Sequence, residues 1–277
     1  MPYVEESITT SDGSRLYARR HEVEDARGEA VIVHGFGEHS GRYGPLIEHL
    51  AANRYSVVSY DQRGHGKSGG LPGHIERFSD YEEDLDRSIS LAGSHGDTRR
   101  IFIIGHSMGG LVALRYLAIK GIKLGGAVVS APLIGLAVPA PAHKVMIARV
   151  GARVAPRLRL DNEINPDDLS RDPEVCRAYA EDPLVNRLVS ARWFAEATRA
   201  MQQVKAWAND IKLPVLVMHG SDDRIAGVEE TKQLFERLGS KDKELVIYPG
   251  FYHELFNEPE KQEVFDRVTT WLDAHTG

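Results

Sequence analysis

A chain of 277 residues with 42% hydrophobic content is long enough for one large core and too apolar to be disordered. Its 34 basic residues against 40 acidic ones leave a net charge of -6, which gives nucleic acid no general electrostatic hold and argues against a polyanion partner. The single cysteine, Cys176, rules out an internal disulfide and suits a small apolar group in a reducing compartment. The opening "MPYVEESITT" carries acids where a secretory signal has bases, and no apolar run approaches the roughly 18 residues of a membrane span. A soluble, cytoplasmic protein is expected.

In chain order, two alternating segments at residues 5–10 and 15–20 flank the turn signal "SDGS" and predict an antiparallel edge hairpin. Six short apolar runs follow: "EAVIVHG" from Glu29, "YSVVSYD" from Tyr55, "RIFIIG" from Arg100, "GGAVVSAP" from Gly125, "LPVLVMHG" from Leu213 and "KELVIYPG" from Lys243. Runs this continuously apolar belong to strands buried on both faces, as in a parallel sheet covered by helices. Amphipathic patterns between them predict helices over 43–53, 80–94, 108–120, 229–238 and 260–275. Strand-helix alternation of this kind predicts a mostly parallel, doubly wound α/β fold.

The alternation stops between residues 133 and 205, where several helices and no strand are expected. An excursion that long between two core strands reads as a helical lid, leaving 1–132 and 206–277 as the core. Its first part is basic, with Lys144, Arg149, Arg153, Arg157 and Arg159 and no acid before Asp161. Met146, Ile147, Val150 and Val154 share one helical face there, a stripe that could rest on a lipid surface or pack on the body of the protein.

"IFIIGHSMGGLVALRYLA" places Gly105-His106-Ser107-Met108-Gly109 between an apolar strand and a helix, matching the G-x-S-x-G elbow that projects a serine from a sharp strand-to-helix turn. A serine hydroxyl needs a base, which in this arrangement comes later in the chain, after an acid. Of the four histidines that follow Ser107, His143 lies in the excursion, His219 ends a strand ahead of any acid loop, and His275 sits in the tail. His253, in "YPGFYHELF" past the last strand, remains. The acid belongs after the preceding strand, where "MHGSDDRIAG" offers Asp222 and Asp223; the exit through Gly220 favours Asp223, with Asp222 forming the turn. An oxyanion would be met by the backbone N–H of Met108 and by one from the loop after the third strand, that of Phe36.

Taken together, "HGFGEHSGRY", "GHSMGG", "GSDDR" and "YHELFNEPE" resemble the monoacylglycerol lipase and lysophospholipase branch of the α/β-hydrolase superfamily, over nearly the whole chain. The resemblance implies an α/β-hydrolase fold, a Ser107-His253-Asp223 triad, and an oxyanion hole from the N–H groups of Phe36 and Met108. It implies hydrolysis of a monoacylglycerol to fatty acid and glycerol without a cofactor. It also implies a polar pocket near Tyr43 and Tyr179 for the glycerol end, with Glu38 and Arg42 lining it or bracing the loop. The partner expected is thus a small lipid ester, with possible peripheral contact between lid and membrane. Other esterases of this fold, acting on short acyl or lysophospholipid esters, and a hydrolase-like receptor are the rival readings.

Two other motifs suggest different chemistry. "DQRGHGKSGG" ends like a phosphate loop, but Asp61 stands where that pattern needs its first glycine, so the segment reads as structural. His34 and His39 lack a third ligand at suitable spacing, so no metal is expected.

Overall fold

The computed structural model describes residues 3–93, 100–120, 124–138 and 141–276. Its eight-stranded sheet runs in the order β1-β2-β4-β3-β5-β6-β9-β10. β1 (Val4–Thr9) and β2 (Arg15–His21) form the expected edge hairpin, antiparallel from Val4↔Arg20 to Thr9↔Arg15, and β2 runs antiparallel to β4 (Tyr55–Tyr60). The remaining strands are parallel: β3 (Gly28–Val33), β4, β5 (Arg100–His106), β6 (Gly126–Ser130), β9 (Val215–Gly220) and β10 (Lys243–Tyr248). This is the α/β-hydrolase architecture.

Both faces of the sheet are covered, which explains the continuous apolar runs. Along β3, Val31 and Val33 join one core with Leu85 of α2 (Ser79–Ala92) and Leu111 and Leu114 of α3 (Met108–Lys120). Ala30 and Ile32, pointing the other way, join a second core with Leu46 and Leu50 of α1 (Gly44–Ala52) and Val264 and Val268 of α8 (Lys261–Ala274). Ser94, expected to end α2, lies outside the described residues.

Between β6 and β9 the chain forms α4 (Ala142–Val154), β7 (Arg159–Asp161), α5 (Pro173–Glu181), β8 (Leu188–Ser190) and α6 (Ala191–Trp207). The two strands correct the expectation of helices alone. They pair antiparallel from Arg159↔Ser190 to Asp161↔Leu188, and three residues each are too few to show a periodicity. α7 (Val228–Arg237) then packs beside β9.

The stripe on α4 does not pack on the body. Ile147 is 63% exposed and Val154 76%, with Met146 and Val150 also in solvent, while Val145 and Ala152 turn inward. Small residues account for the choice of face: Gly151 sits so close to α6 that an added Cβ would lie 3.1 Å from that of Ala191. The larger side chains are left outside. The side chain of Lys144 lies outside the described residues.

Candidate active site

Ser107 stands at the junction of β5 and α3 with φ +51°, a left-handed backbone that a non-glycine residue adopts only where its surroundings enforce it. The surroundings are crowded. A Cβ on Gly105 would lie 2.5 Å from the Gly109 carbonyl oxygen, and one on Gly109 would lie 2.0 Å from that of Val33. The Ser107 N–H donates to the Ser130 carbonyl at 3.0 Å, and its own carbonyl accepts from Leu111 and Leu133. Backbone alone therefore holds the hydroxyl at the carboxyl edge of the sheet.

At the same edge, His253 Nδ1 donates to Asp223 Oδ2 at 2.7 Å, and Asp223 Oδ1 accepts from the N–H groups of Ile225 (2.7 Å) and Ala226 (2.9 Å). Asp222 is exposed and accepts instead from the Ser221 hydroxyl. Burial would push the Asp223 carboxyl up, yet His253 and its hydrogen-bond donors hold it well below the usual carboxylate range. Burial opposes a charged His253, but Asp223 outweighs it and raises the imidazole above its ordinary value. His253 and Ser107 border one cavity of about 380 Å³.

Phe36 lines the same cavity as Ser107, and Met108 follows the serine in the chain. Met108 opens α3, so its N–H belongs to the first helical turn and has no intrahelical partner. Gly35, just before Phe36, is near enough that an added Cβ would lie 3.2 Å from Ser107 Cβ. The Phe36 ring packs on Trp193 (4.1 Å between centroids) and against His65. The structure brings Phe36, Met108 and Ser107 together.

Glu38, Arg42, Tyr43 and Tyr179 converge as well. Glu38 accepts from the Gly35 N–H (2.6 Å), the Tyr43 hydroxyl (2.7 Å) and Arg42 (2.9 Å), and Arg42 lies 4.9 Å from the centre of the Tyr179 ring. The same guanidinium clamps Glu254 through both nitrogens, with Nη2 to Oε2 at 2.8 Å. Burial would raise the Glu38 carboxyl, but Arg42 draws it down to about 2; burial and Glu38 push the Tyr43 phenol far up. Glu38, Tyr179, Glu230 and Glu254 line the cavity, whose remaining wall is mostly apolar and includes Leu133, Leu136, Val145, Phe194, Met201 and Ile225.

The decoy motifs are tied up elsewhere. Asp61 accepts from Ser40 N–H and hydroxyl and from Lys67 N–H, which braces the loop after β3. His34 meets Gln62 N–H and the Gly35 carbonyl, whereas His39 meets Asp182 at 2.9 Å. A serine–histidine hydrogen bond is found at Ser190 and His74 (2.8 Å), but neither residue borders the cavity, and the Ser190 hydroxyl caps α6 by accepting from Trp193.

A family model described as serine aminopeptidase, S33, matches residues 24–260. A monoacylglycerol lipase of Mycolicibacterium smegmatis is 36% identical over 252 residues, covering 91% of this chain and 90% of that one. The chain belongs to the monoacylglycerol lipase branch of the α/β-hydrolase superfamily. The structure of the Paleococcus ferrophilus monoacylglycerol lipase matches it with TM-score 0.87 and 37% identity, over 94% of this chain and 99% of that one. Phospholipase YtpA of Bacillus subtilis is 32% identical, over 88% of this chain and 95% of its own.

Three residues at this family-type site escape a reading of the sequence. Glu254 directly follows His253, but only the fold shows that its partner is Arg42. His106 precedes the serine and sets its ring 4.8 Å from that of His253; burial and the neighbouring imidazole lower it to about 4. His219, dismissed as a base, places Nε2 3.0 Å from Asp223 Oδ2. The signal "MHGSDD" was present, since His219 and Asp223 are four residues apart across a strand end, but it names a contact only once the loop turns back.

Proposed function

We propose that the protein is a serine esterase that cleaves monoacylglycerols to fatty acid and glycerol. One observation carries the reading: a serine in a strained elbow and a histidine bound to a buried aspartate border one largely apolar cavity that the Glu38 and Glu254 carboxylates also line. Ser107 is the nucleophile. His253 takes its proton as the hydroxyl attacks the ester carbonyl, and the N–H groups of Phe36 and Met108 receive the developing oxyanion. The imidazolium returns the proton to the departing glycerol oxygen, and the same histidine then activates water to release the fatty acid. Asp223 keeps Nδ1 protonated, which leaves Nε2 as the nitrogen free to take the serine's proton.

The glycerol end occupies the region of Glu38, Tyr43, Tyr179 and Arg42, and the acyl chain lies among Leu133, Leu136, Phe194 and Met201, where each methylene contributes about 0.8 kcal/mol. Residues 133–205 act as the lid. Among the described residues no helix is long and apolar enough to cross a membrane. The solvent-facing Met146, Ile147, Val150 and Val154, flanked by Arg149 and Arg153, support a lid that rests reversibly on anionic lipid. A profile over monoacyl-, diacyl- and triacylglycerols, lysophosphatidylcholine and nitrophenyl acetate tests the reading. Monoacylglycerol is expected to turn over fastest; faster nitrophenyl acetate or lysophosphatidylcholine would overturn it.

A further inference from the structure

His219 is the fifth residue of β9, four positions before Asp223, and its side chain is completely buried. Its Nε2 lies 3.0 Å from Asp223 Oδ2 and 3.3 Å from the Ala226 carbonyl oxygen, both of them acceptors. Its Nδ1 has no hydrogen-bond partner among the described residues. A buried N–H aimed at nothing is costly, so the proton belongs on Nε2 and Nδ1 is the bare nitrogen. Asp223 accepts three hydrogen bonds, from the Ile225 and Ala226 N–H groups on Oδ1 and from His253 on Oδ2, while His219 Nε2, whose N–H hydrogen-bonds the Ala226 carbonyl, stands against the same Oδ2. The loop so closed is strapped to the start of the excursion by Ala137 N–H to Ile225 O and Gly227 N–H to Gly135 O.

We propose that His219 is a positioning residue for the hydrolysis: its Nε2–H, hydrogen-bonded to the Ala226 carbonyl and 3.0 Å from Asp223 Oδ2, steadies the loop that carries Asp223 and moderates the negative charge lent to His253, and so sets the pH at which His253 becomes a competent base. This rests on the reading of Ser107, His253 and Asp223 as the triad. The positive end of an N–H dipole this close to the oxygen that receives His253 offsets part of its charge, so the imidazolium is less stabilised than it would be beside a carboxylate without that neighbour. The other groups facing His253 are Glu254 beside it in the chain, Glu38 from the loop after β3, and His106 from the end of β5. Arg42 binds both of those carboxylates, which leaves Asp223 as the acid in direct contact with His253 and His219 as the side chain that modulates it.

The test is the pH profile of kcat/KM for His219→Met, which removes the donor, and His219→Gln, which keeps one. The acid limb of His219→Met is expected to rise by about one pH unit, with a plateau kcat about tenfold lower and KM little changed. His219→Gln is expected to return the limb to the wild-type position. A His219→Met limb that coincides with wild type, or a His219→Gln limb displaced as far as that of His219→Met, would overturn the proposal. Should His219→Met fail to fold, ring-nitrogen NMR of the wild-type enzyme decides: the His219 Nε2 proton must shift as His253 titrates, and a flat response refutes the coupling. Ser107→Ala and Asp223→Asn run alongside; full activity in either would break the triad reading itself, whatever the His219 variants do.

Discussion

At the sheet edge, Ser107, Asp223 and His253 are held by backbone crowding and by a carboxylate that accepts three buried hydrogen bonds, so little can move without breaking a buried contact. The excursion over residues 133–205 is built the opposite way, with two three-residue strands and a helix whose largest apolar side chains face solvent. The contrast separates two kinds of constraint. Acyl transfer needs reacting atoms fixed to within a fraction of an ångström, which favours rigid elements; admitting a lipid needs a surface that tolerates an apolar neighbour, which favours an exposed stripe. Substitutions in the two regions are therefore expected to fail differently, the first in turnover and the second in delivery of substrate.

The sharpest break is Ser107→Ala, expected to lower ester hydrolysis by about a millionfold with the fold retained, as circular dichroism and a thermal melt would check. Next comes the acid. Asp223→Asn is expected to lose about 10³- to 10⁴-fold in kcat, and Asp222→Asn less than about twofold, since only Asp223 reaches His253. Equal losses would refute the pairing as the source of activity. pH sharpens the same point. A histidine base works only when neutral, and Asp223 raises His253 above its ordinary value, so with His253 as the proposed base kcat/KM must fall as pH drops through a midpoint above about 6.5. In Asp223→Asn the residual activity must show that midpoint moved downward, because the negative neighbour is gone.

The ion pairs of Arg42 with two carboxylates of the cavity wall come third. Arg42→Met leaves Glu38 and Glu254 buried without their cation, and breaking such a pair costs about 3–5 kcal/mol, read from urea unfolding. Monoacylglycerol KM is expected to rise in the same variant. A loss below about 1 kcal/mol, the scale of a surface pair, would show that the pair is solvated in solution.

How much of this was legible depended on whether one residue or several carried the signal. The buried strands and the elbow announced themselves, because "IFIIGHSMGG" couples a continuous apolar run to glycines at fixed offsets, each with a steric reason. β7 and β8 did not, since a pairing such as Leu160↔Val189 joins residues far apart in sequence and three residues hold no period. The stripe on α4 was visible, but its direction was not. Val145 and Ala152 lie on one side of the helix and Met146, Ile147 and Val150 on another, and only the approach of Gly151 to α6 decides which side turns in. Glu254 and His219 were hidden for a related reason: each acts on a partner that a loop or strand brings to it, as Glu254 does across the chain to Arg42.

The smallest expected effect concerns the surface that the stripe presents. If the lid rests on anionic lipid, Ile147→Asp must weaken binding to phosphatidylglycerol vesicles, measured by sedimentation, by about tenfold through lost apolar burial and added charge. Arg149→Gln must weaken it by about fivefold at low salt, near 1 kcal/mol for one cation at an anionic surface, and by less as salt screens the attraction. Both variants must hydrolyse a water-soluble ester such as nitrophenyl butyrate at the wild-type rate, because neither residue borders the cavity. Unchanged vesicle affinity in both would leave the stripe without a lipid role; a fall in soluble-ester turnover would instead place α4 in the cavity's own mechanics, joining the two regions that the structure keeps apart.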